Sequence, residues 1–407
     1  MCDRSRNLRP MAGVLLMLLP LFAWALPGAA QSRPKQPVRS TEVSIHGEDF
    51  YINGKPTYPG RSWQGHRIEG LLFNARMVNG VFDDLNPETS KRWAYPDTGV
   101  WSADRNTSDF IAAMPAWRSH GLLAFTVNLQ GGSPEGYSHG QPWINSAFAA
   151  DGSLRPAYFE RLGRILDRAD QLGMVAIVGY FYQAQDKQLT DEAAVLRAVD
   201  NATNWILNHG YRNVLVEINN ECDQHYTNAI LRPERVDELI TRVRHIEQNG
   251  RRLLVSASYS GPLPKENVAK AADFILVHAN GVATTDRLVD SIHKIRAMLA
   301  GTPKPIVFNE DDHYDFDKPD SHLAAAAVEH ASWGFFDYRR KDEPFSDGYQ
   351  SVPADWAIGS DRKRGFFDLL SQITGEGKAI EIGCCYGSDR DAGVFASLPK
   401  PSLREHT

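Results

Sequence analysis

Two glutamates close apolar runs, and both runs read as buried strands. Glu221 follows Val214-Leu-Val-Glu-Ile-Asn-Asn220, and Glu310 follows Ile306-Val-Phe-Asn309. Their separation fits three strand steps of about 30 residues each, the length of a βα unit. Two carboxyl groups facing one cleft are the minimal apparatus for cleaving a glycosidic bond. One protonates the departing oxygen, and the other acts as base or nucleophile on the opposite side. A glycosidic oxygen is too poor a leaving group to depart unprotonated near neutral pH. One carboxyl must therefore stay neutral while the other is ionised, and repulsion at short range helps to separate them. A single glutamate at a strand end would read as an ordinary solvated or helix-capping carboxylate. A pair, each preceded by asparagine, does not.

Other strand ends supply supporting groups. Arg76 could hold a nucleophilic carboxylate in its ionised form through charge and hydrogen bonds. His278, in Val-His-Ala-Asn280, could orient a carboxylate; as a core histidine it would simply be buried and satisfied. Trp333, in Ala-Ser-Trp-Gly-Phe-Phe, offers an aromatic platform for a sugar ring, with a core tryptophan as the bland reading. Asn128 and Gln130 follow one strand, and Tyr180, Tyr182 and Gln183 end another; these are expected to line the cleft. The Asp311-Asp312-His313 and Asp83-Asp84 runs carry donors for a divalent cation. Successive strand residues point to opposite faces, however, so such runs rarely converge on one ion. No metal or other cofactor is expected.

The elements that must position these groups alternate. Candidate strands are Leu71–Arg76, Leu122–Asn128, Met174–Tyr180, Val214–Ile218, Leu253–Ala257, Phe274–His278, Ile306–Asn309 and Ser332–Phe336, with Tyr58–Gly65 as an alternative for the first. Between them, apolar residues recur at three- and four-residue spacing over Ala157–Leu172, Ala193–Leu207, Val236–Ile246, Thr285–Leu299 and Phe366–Ile373, predicting helices. Strands that are apolar throughout, alternating with helices, predict a parallel (β/α)8 TIM barrel. The alternative is an open doubly wound sheet, for which no GxGxxG turn follows the first strand. Val43–Gly54 predicts an N-terminal β-hairpin. Asp83–Thr107 is expected to be an extended loop over one barrel face, with Gly131–Ser153 as a second wall.

With these residues in place, the chain resembles the clan A glycoside hydrolases, in the neighbourhood of the family 5 cellulases and mannanases, over roughly Ser44–Thr374. The carrying residues are Phe50-Tyr-Ile-Asn-Gly-Lys-Pro56, Ile218-Asn-Asn-Glu221, Glu310 and Trp333. The resemblance implies Glu221 as acid/base, Glu310 as nucleophile, and Asn220 as partner of the sugar 2-hydroxyl. It also implies a retaining, double-displacement mechanism on a β-linked glycan. Two positions depart from the clan's pattern. Asn280 stands where a tyrosine is usual, and no arginine stands at Asn128, so Arg76 takes that role only if the strand count shifts by one.

The 407 residues are 42% hydrophobic, 10% aromatic and 23% charged, with 44 bases against 50 acids and a net charge of −6. That balance argues against a nucleic-acid binder and against disorder. Residues 1–30 read as a signal peptide: Arg4, Arg6 and Arg9, then the apolar Met11–Leu26, then Gly28-Ala29-Ala30. Secretion or export to a periplasm is the expectation, with an uncleaved anchor as the alternative and no membrane contact after cleavage. Residues 31–42 read as a linker, 43–380 as the catalytic domain and 381–407 as a tail. Cys222, Cys384 and Cys385 are odd in number, with two of them adjacent, so no disulfide framework is read from them. Asn106-Thr-Ser and Asn201-Ala-Thr match the glycosylation pattern. The partner expected is a carbohydrate; neither the sugar nor the oligomeric state can be read from the sequence. A non-catalytic sugar-binding barrel and a metal-dependent hydrolase are the competing functions.

Overall fold

A computed structural model describes residues 39–137 and 140–377. The segment read as a signal peptide, the first eight residues read as a linker, and the end of the chain with Cys384 and Cys385 lie outside the described residues. Eight parallel strands form one nearly closed sheet: β1 (Asn74–Arg76), β2 (Ala124–Asn128), β3 (Val175–Phe181), β4 (Val214–Asn219), β5 (Leu254–Ser256), β6 (Ile275–His278), β7 (Ile306–Asp311) and β8 (Ser332–Phe335). The ladder runs β5-β4-β3-β2-β1-β8-β7-β6, which is barrel order. At the remaining seam the Asp273 amide donates to the Val255 carbonyl at 2.9 Å. All eight predicted strands are present, and the first is Asn74–Arg76. The alternative segment Tyr58–Gly65 instead contributes to a small hairpin, Ser62–Trp63 with His66–Arg67.

Helices α1 (Ala103–Ser119), α2 (Pro156–Leu172), α3 (Glu192–Asn208), α4 (Val236–His245), α5 (Glu266–Ala271), α6 (Thr285–Met298), α7 (His322–Val328) and α8 (Asp361–Thr374) surround the sheet. Proline at the first position of α2 and Gly173 in the left-handed region at its end mark that helix at both termini. The expected extended loop Asp83–Thr107 is corrected by α1, which begins at Ala103 with the Ser102 hydroxyl accepting from the Arg105 amide. Pro115 inside this helix and its weak apolar stripe hid it. Among the described residues, no helix is long and apolar enough to cross a membrane.

The N-terminal hairpin pairs Val43–His46 with Asp49–Ile52, and an Asn53-Gly54 turn with both φ positive leads to a third short strand, Lys55–Pro56. Phe50 is fully buried against Phe274, just ahead of β6, so the hairpin covers the end of the barrel where strands begin. The linker's last residues are already tied to the barrel. Asp170 of α2 accepts from the amides of Ser40 and Thr41 at 2.8–3.1 Å, and Arg39 stacks over Tyr211.

At the opposite end the two long loops share a small core. Phe82, Trp93, Trp143 and Val352 are buried together, and Asp84 accepts from the indole of Trp93 at 2.8 Å and the Thr89 hydroxyl at 2.6 Å. Asp83 accepts from Trp101. This pair of aspartates is thus committed to loop architecture. Asn106 is fully buried on α1 and is not open to glycosylation in the folded chain.

Replacing Asp170 by alanine removes the acceptor that fixes the N-terminal segment and strands two buried or half-buried amides. Denaturant unfolding should show a loss of about 1–3 kcal/mol.

Candidate active site

Side-chain alternation turns Arg76 of β1 and Glu217 of β4 into the barrel, where both are fully buried. The Arg76 guanidinium forms ion pairs with Glu310 and, at 3.6 Å, with Glu217, and it donates to Asn220 Oδ1. Asn309 Nδ2 donates to the other Glu217 oxygen at 3.4 Å. Above this base stand the two predicted glutamates. His278 Nδ1 lies 3.0 Å from Glu221 Oε1 and 3.5 Å from Glu310 Oε2. Asn280 donates to Glu310 Oε1 at 2.8 Å, and Gln183 donates to Glu221 Oε2 at 3.3 Å. One oxygen of each glutamate and a ring nitrogen of His278 lie within 4.8 Å of one another.

The backbone is irregular where these groups sit. The β6–β7 ladder shifts register at Val277/His278 and the β7–β8 ladder between Phe308 and Asp311, so Glu310 occupies a bulged strand end. Glu221 has φ +48°, the left-handed region that a residue with a side chain enters at a cost of about 1 kcal/mol or more. Its amide donates to Ser258 Oγ at 2.9 Å, and the next amide donates to the Ser258 carbonyl at 2.8 Å. The segment after β5 therefore holds the turn.

The carboxylates differ in surroundings. Glu310's side chain is 6% exposed and Glu221's 15%. Burial pushes the Glu310 carboxyl up, and the charge of Glu221 adds to the rise; His278, Arg76 and the Asn280 hydrogen bond oppose it. For His278, burial alone would lower the imidazole, but the two carboxylates outweigh it and the ring is raised toward its cationic form. Glu310 thus sits between the Arg76 guanidinium and the His278 ring, and Glu221 lies nearer to solvent.

Of the predicted site residues, Glu221, Glu310, Asn220, His278 and Arg76 converge, with Gln183 and Asn280 beside them. Three expectations need correction. Trp333 is fully buried, opens β8 at the level of Phe308, packs against Phe316 and Phe366, and donates from its indole to Asp311. It belongs to the helix-facing layer and offers no ring to a sugar. Tyr180 points outward, its hydroxyl 3.1 Å from Thr203 of α3. Asn128 is buried against its register partner Gly179, level with Glu217 and below the glutamate pair.

Glu217 was not anticipated, although its position inside an apolar strand was a signal. A charge there must find a countercharge. Of the Asp311-Asp312-His313 run, Asp311 and His313 stay in contact and, with buried His322, bring three donor atoms within 4.8 Å of one another, while Asp312 turns away. Asp311 is buried outward and accepts from Trp333, His322 and both the ring and amide of His313, at 2.6–3.2 Å. These donors occupy both oxygens and suit a structural anchor behind Glu310. Asp312 turns to the mouth, where it accepts from the Tyr137 hydroxyl at 3.0 Å.

No family model matches this chain, and no curated protein does either. Its fold does match solved structures. A glycoside hydrolase family 5 mannosidase from Rhizomucor miehei aligns over 83% of this chain and 98% of its own, at 14% identity and a TM-score of 0.50. An endo-1,4-beta-mannanase from the same organism aligns over 83% and 100%, at 11% identity and a TM-score of 0.51. At this identity the likeness establishes the barrel fold.

Trp333→Phe tests the corrected placement. It should lower stability by about 1–2 kcal/mol, because buried Asp311 loses one donor, and it should leave the KM for any glycan substrate unchanged.

Proposed function

We propose that the chain is a retaining glycoside hydrolase that cleaves a β-linked glycan by double displacement. The observation that carries this reading is the close pair Glu221 and Glu310, projected from the ends of β4 and β7 with oxygens within 4.8 Å. A retaining pair stands about 5–5.5 Å apart, whereas an inverting pair leaves about 6.5–9.5 Å for a water. The barrel shared with a mannosidase and an endo-mannanase supports the same reaction class.

The surroundings support distinct roles. Glu310, fixed by Arg76 and Asn280, attacks the anomeric carbon as the bond to the leaving oxygen breaks, and its carboxylate charge is neutralised as the glycosyl ester forms. Glu221, nearer to solvent and held by Gln183 and His278, gives its proton to the leaving oxygen. The same carboxylate then takes a proton from the water that hydrolyses the glycosyl-enzyme. Asn220 is held between Arg76 and Gln183, its Nδ2 donating to Gln183 at 3.0 Å, and its position beside the glutamate pair supports the reading that it serves a sugar hydroxyl. The leader read over residues 1–30 supports an exported enzyme.

The triad Glu221, His278 and Glu310 also has the donor types of a divalent-cation site. Activity that survives EDTA separates the two readings in favour of the glycosidase.

Intact-mass analysis after incubation with activated 2-deoxy-2-fluoro glycosides should add one sugar to the wild type and none to Glu310→Gln. An adduct that persists in the variant would displace Glu310 from the nucleophile role. A pH profile gives a second check. Glu310 must be ionised to attack, and burial raises it, so kcat/KM should fall on the acid side at a pH above the ordinary glutamate value. Arg76→Met removes an opposing charge and should move that limb upward. Arg76→Lys should move it less.

A further inference from the structure

With Trp333 buried, the proposed glycosidase lacks the aromatic platform that its sequence suggested, and the structure presents another. Tyr137, in the loop between β2 and α2, is 50% exposed, and among the described residues no other Phe, Tyr or Trp is classed as exposed. Tyr137 is firmly seated. Its ring packs edge-on against Phe336 at 5.6 Å and Tyr338 at 5.0 Å, and its hydroxyl donates to Asp312. The preceding Gly136 has φ +80°, and a Cβ there would collide with the Tyr338 ring, so the loop's close approach requires glycine.

The seat is at the proposed catalytic centre. Asp312 lies two residues beyond Glu310, just past the end of β7, and bonds to the Tyr137 hydroxyl instead of joining the buried contacts of Asp311. The charges of Asp312 and Glu310 both act on the Tyr137 phenol, which burial and these charges keep protonated and donating. The Tyr137 hydroxyl donates to Asp312 Oδ2.

We propose that Tyr137 and Asp312 form a sugar-binding subsite beside Glu310, a reading that rests on the glycosidase assignment. The phenol ring meets the apolar C–H face of a pyranose, and the carboxylate accepts from hydroxyls at the ring's edge. This pairing of an apolar face with one fixed polar acceptor is how concave sites orient amphipathic ligands. The aspartate acceptor beside an already acidic centre selects uncharged pyranosides over uronates.

The test measures binding and turnover separately, with β-linked hexaoses of mannose, glucose, xylose and galactose as probes. Wild type is assayed for cleavage, and Glu310→Gln for binding by calorimetry. In the Glu310→Gln background, Tyr137→Ala should weaken binding of the cleaved hexaose about tenfold, and Asp312→Ala should do so to a similar degree. Tyr137→Phe, which keeps the ring, should lose less. Binding by Tyr137→Ala within twofold of its parent, with or without a drop in melting temperature, overturns the subsite and leaves the glycosidase reading standing. A wild type that neither cleaves nor binds any of the hexaoses overturns both.

Discussion

A guanidinium sealed inside the barrel organises everything above it. Arg76 cannot give up its proton and is cut off from water, so the fold must surround it with acceptors or lose several kcal/mol. Glu217, Glu310 and Asn220 are those acceptors, supplied by β4 with the residue after it and by β7. The requirement works in reverse as well. Three carboxylates, Glu217, Glu221 and Glu310, lie around one arginine and one histidine, and only the cations make their proximity tolerable. The site's geometry is therefore a solution to buried charge before it is an arrangement for catalysis.

Much of this was readable from residue types alone, because a parallel barrel buries both faces of its strands. Each strand then appears as an unbroken apolar run, and its end appears as an abrupt polar residue. That is why Glu221, Glu310, His278 and Arg76 could be placed in one cleft without coordinates. The failures have physical causes too. Trp333 and Tyr180 were assigned by their nearness to strand ends, but period-two alternation decides which side of the sheet a residue serves, and both serve the helix layer. Height matters as much as side, since Trp333 opens its strand where Glu310 closes one. Helix α1 escaped because Pro115 interrupts it and its apolar stripe is weak. The partnership of Tyr137 with Asp312 joins a loop to a distant strand, and no local pattern encodes it.

Consecutive residues of β7 divide the work. Asp311 faces outward and is gripped by two histidines and an indole from the surrounding layer, while Glu310 faces the cleft. A bulged strand end would otherwise be free to twist. The outward anchor fixes the peptide between the two residues, and so the direction in which Glu310 points. Rigidity at the reacting atom is thus supplied by contacts on the other face of the sheet, where substrate never comes.

The left-handed backbone at Glu221 carries a consequence for attempts to harden this protein. Position 221 holds a residue whose conformation glycine would adopt without strain, so the fold by itself favours the smaller side chain there. A screen that rewards thermal tolerance alone will tend to select such replacements, and each would delete the proposed proton donor. Stabilising libraries for this scaffold should therefore hold residue 221 fixed and seek their gains in the helix layer or the N-terminal segment.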